Sequence, residues 1–261
     1  MKLDEIILGD CLVEMKKMED CCIDLTVTSP PYDNLREYLG HSLFDFQGIA
    51  RELYRITKVG GVVVWVVADS TIDGSETGQS FQQALFFRAI GFNMETMIYR
   101  KTCYPRSGSL LFYQSAFEFM FLFMKGNPKT FNPIVDRKNK KAGVCSTGTK
   151  REANGSLSRY DFKVNEQKQR DNVWDYDPGF MKGTKDTIAH QHPAIFPEAL
   201  AADHILSWSN LGDTVLDCFA GSGTTCKMAK LHNRHFIGIE INPEYVEICN
   251  KRLSQEVFDF G

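Results

Sequence analysis

The chain has 261 residues, 43% of them hydrophobic and 24% charged, with a formal net charge of −3. This composition fills the core of one large α/β domain, no apolar run approaches the ~18 residues of a membrane span, and Met1 to Asp10 lacks a secretion signal, so a cytoplasmic protein is expected. Eight cysteines, at 11, 21, 22, 103, 145, 218, 226 and 249, form neither a Cys-x-x-Cys pair nor a zinc spacing, which argues against a disulfide scaffold or a metal site.

In chain order, Lys2 to Leu8 reads as a short strand closed by Gly9-Asp10, and Cys11 to Met18 has helical spacing of its apolar residues. The β-branched run Ile23 to Thr28 reads as a buried strand. It is stopped by Ser29-Pro30-Pro31-Tyr32, because proline has no N–H to continue a ladder. Apolar residues at 46, 49, 53 and 56 predict a helix with Gly60-Gly61 as its stop. Val62 to Ala68 is continuously apolar, as a strand in the sheet centre should be. A polar loop over Ser70 to Ser80, a helix over Phe81 to Ile90, a peripheral strand over Phe92 to Arg100, a loop over Thr102 to Gln114 and a strand over Phe117 to Met124 follow.

Residues 129 to 171 lose all periodicity. From Arg137 to Arg170 there are ten basic and three acidic residues, a net +7 on a body that sums to −10. Such a basic insert fits local contact with a polyanion, or a solvated loop; about 40 irregular residues inside a domain point to function or disorder. Regular pattern returns with Asn172 to Asp175, and a helix is predicted from Glu198 to about Trp208. The chain then offers a βαβ unit: strand Thr214 to Phe219, a glycine turn, a helix through Lys230, strand His235 to Glu240 and helix Pro243 to Leu253.

Two constellations carry chemistry. The turn Ser29 to Tyr32, at the carboxyl end of a parallel strand, offers a hydroxyl, proline-flanked carbonyls and an aromatic ring to a flat ligand bearing an amino group. The second is Ala220-Gly221-Ser222-Gly223-Thr224, where glycines permit close approach of a ligand or simply tight strand-helix packing. Glu240 stands 19 residues after Gly221, where a carboxylate can accept ribose hydroxyls. Only 21 residues follow Glu240, so the sheet is expected to be completed from the N-terminal part. The strand ending at Asp10 would lie beside that ending at Glu240, and the strand ending at Thr28 beside that ending at Asp217.

Thr28 to Tyr32 followed much later by Asp217-Cys218-Phe219-Ala220-Gly221-Ser222-Gly223-Thr224, with His192-Pro193-Ala194-Ile195-Phe196-Pro197 between them, resembles the S-adenosylmethionine-dependent amino-methyltransferases of DNA, in the circularly permuted order of their β group. The resemblance covers nearly the whole chain outside 129 to 171. It implies a Rossmann-like, mostly parallel, doubly wound α/β sheet. The catalytic half would be residues 1–128, a target-recognition insert 129–171, and the cofactor half 172–261.

By the same resemblance S-adenosyl-L-methionine is the cofactor and double-stranded DNA the substrate, with a cognate restriction endonuclease and a homodimer as candidate partners. Ser29, Pro30, Pro31 and Tyr32 would be catalytic. Asp217, Phe219, Ala220, Gly221, Ser222, Gly223 and Thr224, with Thr28, would surround the methionine part of the cofactor, Glu240 its ribose and Asp10 its adenine amine. Phe196, Ile241 and Asn242 would pack near it. Arg36, Tyr38, Arg137, Lys138, Lys140, Lys141, Lys150 and Arg151 would contact DNA. Serine before Pro-Pro-Tyr resembles cytosine-N4 enzymes more than adenine-N6 ones, and both bases stay open, cytosine preferred. A nucleotide-cofactor oxidoreductase leaves the Ser-Pro-Pro-Tyr turn and the basic insert unused. A catalytically idle DNA-binding protein and an amine methyltransferase of RNA or protein are the other readings.

Overall fold

The computed structural model describes residues 2–31, 44–103, 113 and 115–255, and the chain divides into two compact units, Met1–Asn132 with Asn172–Gly261, and Pro133–Asp171. The larger unit opens with β1 (Glu5–Leu8), α1 (Cys11–Met15) and β2 (Ile23–Thr28). Helix α1 stops three residues short of the expected Met18. Next, α2 (Phe46–Ile56) buries Ile49, Ala50, Leu53 and Ile56 on one face. Asp45 closes its first turn by accepting the Gly48 N–H at 2.9 Å.

The expected glycine stop after this helix is corrected by the structure. Thr57 ends α2 by turning to extended backbone, and its hydroxyl donates to the Leu53 carbonyl at 2.6 Å. Gly60 and Gly61 lie within β3 (Thr57–Val67), where the ladder is irregular: Ile23 faces Thr57, but Leu25 faces Val62. A Cβ on Gly61 would stand 2.8 Å from the Asp24 carbonyl oxygen, so the bulge requires glycine.

The expected polar loop contains a small hairpin, β4 (Thr71–Ile72) with β5 (Ser75–Glu76), before α3 (Gln79–Ala89), β6 (Asn93–Lys101) and β7 (Phe117–Met124). Elements of the smaller unit, β8 to β11, come next in sequence and are described below. The larger unit resumes with β12 (Val173–Tyr176), a single 3-10 turn at Ala189–Gln191, α4 (Glu198–Trp208), β13 (Thr214–Asp217), α5 (Thr224–Leu231), β14 (His235–Glu240) and α6 (Pro243–Leu253).

Its eight strands form one sheet in the order β1-β14-β13-β2-β3-β7-β6-β12, with β7 antiparallel to both neighbours and every other pairing parallel. Two C-terminal strands, β14 and β13, are thus inserted between the N-terminal strands β1 and β2, so that β1 lies beside β14 and β2 beside β13, as the sequence leads one to expect. The carboxyl ends of these strands open on one edge, where α/β sheets bind ligands. Behind them Trp65, Phe87 and Phe123 are fully buried; the two phenylalanine rings stack at 4.2 Å, and the Trp65 indole N–H donates to Gln83 at 2.8 Å. Among the described residues no helix is long and apolar enough to cross a membrane.

The smaller unit corrects the expectation of an irregular insert. β8 (Val135–Lys138) pairs antiparallel with β11 (Gln167–Gln169), and β9 (Cys145–Arg151) with β10 (Leu157–Lys163). Almost every residue of these ribbons is half-buried or exposed, so neither face imposes a period-two apolar pattern. Gly148 makes room for the ring of its cross-strand partner Tyr160, which a Cβ would meet at 2.5 Å. Asp136 and Asp171 belong to this unit, pairing with Arg170 and Arg137 at 2.8 and 2.7 Å, and reduce its net charge to +5. Lys138, Lys140, Lys141, Lys150 and Arg151 are exposed, whereas Arg137 is half-buried in its ion pair.

Candidate active site

Two strand ends from opposite ends of the chain are bonded side by side. β2 ends at Thr28, whose hydroxyl donates to Asp217 Oδ1 at 2.7 Å at the end of β13. The Phe219 N–H donates to the same oxygen at 3.1 Å, and the Thr225 hydroxyl donates to the Val27 carbonyl at 3.0 Å. Asp217 is 1% exposed and its Oδ2 has no hydrogen-bond partner among the described residues. Burial pushes its carboxyl up to about 6; the bonds from Thr28 and Phe219 oppose that shift and the nearby Glu240 charge adds to it.

On the next strand Glu240 holds the glycine turn. Its Oε2 accepts the Gly221 N–H at 2.8 Å and its Oε1 the Asn242 N–H at 2.9 Å. Burial raises this carboxyl as well, against the lowering effect of those backbone bonds. Gly221, at φ +53°, is required: a Cβ there would come within 3.1 Å of His192 Nε2, so the imidazole packs directly against the turn. At the far strand Asp10 caps α1 by accepting the Val13 N–H at 3.0 Å.

Asp10, His192, Gly221 and Glu240 line a cavity of about 1250 Å³. Of the residues expected at a site, Ser29, Pro30 and Pro31 line it together with Asp10, Phe196, Phe219, Ala220, Gly221, Ser222, Thr224, Glu240 and Ile241. Thr28, Asp217, Gly223 and Asn242 are not on its wall; Thr28 and Asp217 bind each other behind it, and Asn242 caps α6 by accepting the Glu244 N–H at 2.9 Å. Tyr32, Arg36 and Tyr38 lie outside the described residues.

Residues 23–251 match the family model described as DNA methylase. The chain belongs to the DNA methylase family. It is 55% identical over 244 residues to the orphan methyltransferase M.BamHII of Bacillus amyloliquefaciens, an alignment covering 91% of each chain. It is 34% identical to the DNA adenine methyltransferase YhdJ of Escherichia coli K12, over 95% of this chain and 82% of the other. Among solved structures, the PvuII cytosine-N4-specific DNA methyltransferase superposes with a TM-score of 0.69 at 18% identity, covering 97% of this chain and 87% of its own. M1.HpyAVI, solved as its SAM complex, gives 0.64 at 23% identity, covering 96% and 99%. The likeness to these two structures is one of fold.

The methylase also contains site features that local sequence patterns do not reveal. Arg252 of α6, fully buried, donates to the Ser222 carbonyl at 2.6 Å, to Glu198 at 2.7 Å and to Asp186 at 2.9 Å. Lys227 of α5 binds Asp186 at 3.2 Å and Glu198 at 3.0 Å, completing a four-charge cluster behind the glycine turn. Its one local signal is a charged residue four positions after Ile248 on the buried face of α6. Elsewhere on the cavity wall, Lys101 of β6 pairs with Glu118 of β7 at 2.5 Å, beside Tyr99 and Phe180. His190 reaches the wall with its ring 4.4 Å from that of Phe180, and His192 is engaged with the Ala194 carbonyl at 2.6 Å. Among the described residues no group of three or more His, Cys, Asp or Glu is arranged to hold a metal ion.

Proposed function

We propose that this DNA methylase transfers a methyl group from S-adenosyl-L-methionine to the exocyclic amine of a base turned out of the duplex, with cytosine N4 the preferred target. The observation that carries the reading is the meeting of the Ser29-Pro30-Pro31 turn with Asp10, Gly221 and Glu240 around one cavity.

The wall suits the cofactor. Two carboxylates at the ends of adjacent strands, Asp10 and Glu240, match an amine and a pair of ribose hydroxyls, and Phe196 and Ile241 offer apolar walls to a flat ring. The bound cofactor supplies an electrophilic methyl on a sulfonium. The chain's own task is to make the amine a nucleophile, because its lone pair is delocalised into the ring. The Ser29 hydroxyl and the Pro30 carbonyl accept the two amine hydrogens, draw the nitrogen towards tetrahedral geometry and aim the lone pair. Orientation and hydrogen bonding contribute most of the effect, and no covalent enzyme intermediate is needed. Tyr32, next in sequence, is the stacking platform for the everted base, which must leave the helix to be reached.

The residues 133–171 ribbons are the proposed target-recognition region, with exposed Lys138, Lys140, Lys141, Lys150 and Arg151 contacting phosphates. Adenine N6 is the second reading, favoured by the identity to an adenine methyltransferase. The test is incubation with an unmethylated random-sequence DNA library, followed by nucleoside digestion and mass spectrometry. N4-methylcytosine is expected; N6-methyladenine alone would reverse the base preference, and no methylated amine would refute the reading.

A further inference from the structure

We propose that the Lys101–Glu118 pair reads the ring edge of the everted base, an inference that rests on the methyl-transfer reading of this cavity. At about 1250 Å³ the cavity exceeds the ~300–1,000 Å³ usual for a single small ligand. The strand order explains how two ligands would share it. Asp10, Glu240 and Gly221 belong to β1, β14 and the turn after β13, on one side of β2. Glu118 and Lys101 stand on β7 and β6, two and three strands to the other side, about 10–15 Å along the edge at ~4.8 Å per strand. Ser29, at the end of β2, lies between the two groups. An amine held at Ser29 therefore divides the cavity into a cofactor end and a base end.

The chemistry at the base end fits what a base presents there. Next to the amine, cytosine has the acceptor N3 and then the carbonyl O2; adenine has the acceptor N1 and then a C–H. Recognition requires a donor. Lys101 carries three hydrogens, and its ammonium lies 2.5 Å from Glu118 Oε1 in an ion pair that holds it towards β7. An ordinary surface pair would leave both groups largely hydrated, but these side chains are only 23% and 13% exposed. Lys101 has given up much of its water at a cavity wall, where a ligand can replace it. The two adjacent acceptors of cytosine suit a single ammonium better than the one acceptor and C–H of adenine.

The methylated site is first located on the random-sequence library. Synthetic duplexes are then made with the target base intact or with the ring nitrogen beside the amine replaced by C–H: 3-deazacytosine, or 1-deazaadenine if adenine is the target. Wild-type protein should lose about 10- to 100-fold in kcat/KM on the deaza duplex, the value of a charge-assisted hydrogen bond. Lys101→Met should lose a similar factor on the natural duplex and discriminate the deaza base hardly at all, while binding S-adenosylmethionine within about twofold of wild type by calorimetry. Glu118→Gln should show an intermediate loss. Equal use of both duplexes by the wild-type protein overturns the inference whether or not any variant folds. Undiminished discrimination by Lys101→Met overturns it too. Failure of the wild type to methylate any amine in the library would overturn the methyl-transfer reading itself, a result distinct from either of these.

Discussion

Replacing Arg252 by Met keeps the length of the side chain but removes a cation that ties together the 186 region, α4, α6 and the glycine turn. Arg252 has no exposed surface, and Asp186 and Glu198 have 6% and 22%. Breaking a buried pair by deleting one partner costs about 3–5 kcal/mol, since the survivors keep their desolvation penalty. Lys227 still reaches both carboxylates, which places the expected loss near the lower bound, about 3 kcal/mol. For a domain of this size that is a fall of about 6–12 °C in melting temperature. The acid limb of stability gives a second check. Burial alone would raise the Asp186 carboxyl, but the bonds from Arg252 and Lys227 prevail and lower it. A carboxylate lowered by folding adds stability above its unfolded pKa of 3.8 and loses that stability as pH falls through its folded value. In Arg252→Met that dependence below about pH 4 should flatten. Because Arg252 also holds the Ser222 carbonyl, S-adenosylmethionine affinity should drop about tenfold, equal to one lost hydrogen bond. Differential scanning fluorimetry across pH, with calorimetric titration of the cofactor, measures all three. An unshifted melting temperature would refute the energetic argument. A large shift with intact cofactor affinity would refute the link to the turn.

Ser29→Ala should lower the rate of methyl transfer about 100-fold while leaving cofactor affinity within twofold, as loss of one transition-state hydrogen-bond partner does; single-turnover kinetics separate the two. Replacing Lys138, Lys140 and Lys141 together with Ala should weaken DNA binding and reduce the slope of log K against log salt by up to ~2.7, at ~0.9 per phosphate neutralised. Equal loss of DNA and cofactor binding would indicate misfolding instead. Asp217→Asn removes a carboxyl whose folded pKa, about 6, lies above the unfolded 3.8. The native state then holds its proton more tightly, so this group's contribution to stability is fully present below about pH 4 and declines as pH rises through about 6. Urea denaturation at pH 5 and 8 should therefore show a smaller pH difference in the variant, and an undiminished difference would exclude Asp217 as its source.

How much of this was legible in the sequence depended on whether a feature is local. The βαβ run from Thr214 to Leu253 was readable because strand, turn and helix signals lie within a few residues of one another, and His235–Glu240 and Pro243–Leu253 keep the expected bounds. The placing of β13 and β14 between β1 and β2 was also legible, because the turns after Thr28 and Asp217 read as two halves of one site. Gly60-Gly61 misled because glycine marks both helix ends and bulges, and the distinguishing contact, the Asp24 carbonyl, comes from another strand. The ribbons of residues 135 to 169 carry no period-two signal because they have no buried face.

Other features depended on cross-strand register and packing between distant helices. Lys101 and Glu118 are 17 residues apart, and their meeting requires β6 and β7 to pair with Tyr99 opposite Glu118. A shift of one residue in that register would turn one of the two side chains to the other face of the sheet and away from its partner. The same holds for Arg252, whose partners at 186, 198 and 222 are collected by three separate helix and turn contacts. Motif residues approach a ligand through local backbone geometry and therefore carry their signal in consecutive letters. Residues that orient them do so through long side chains from other elements, and only the assembled sheet shows which lysine or arginine has that role.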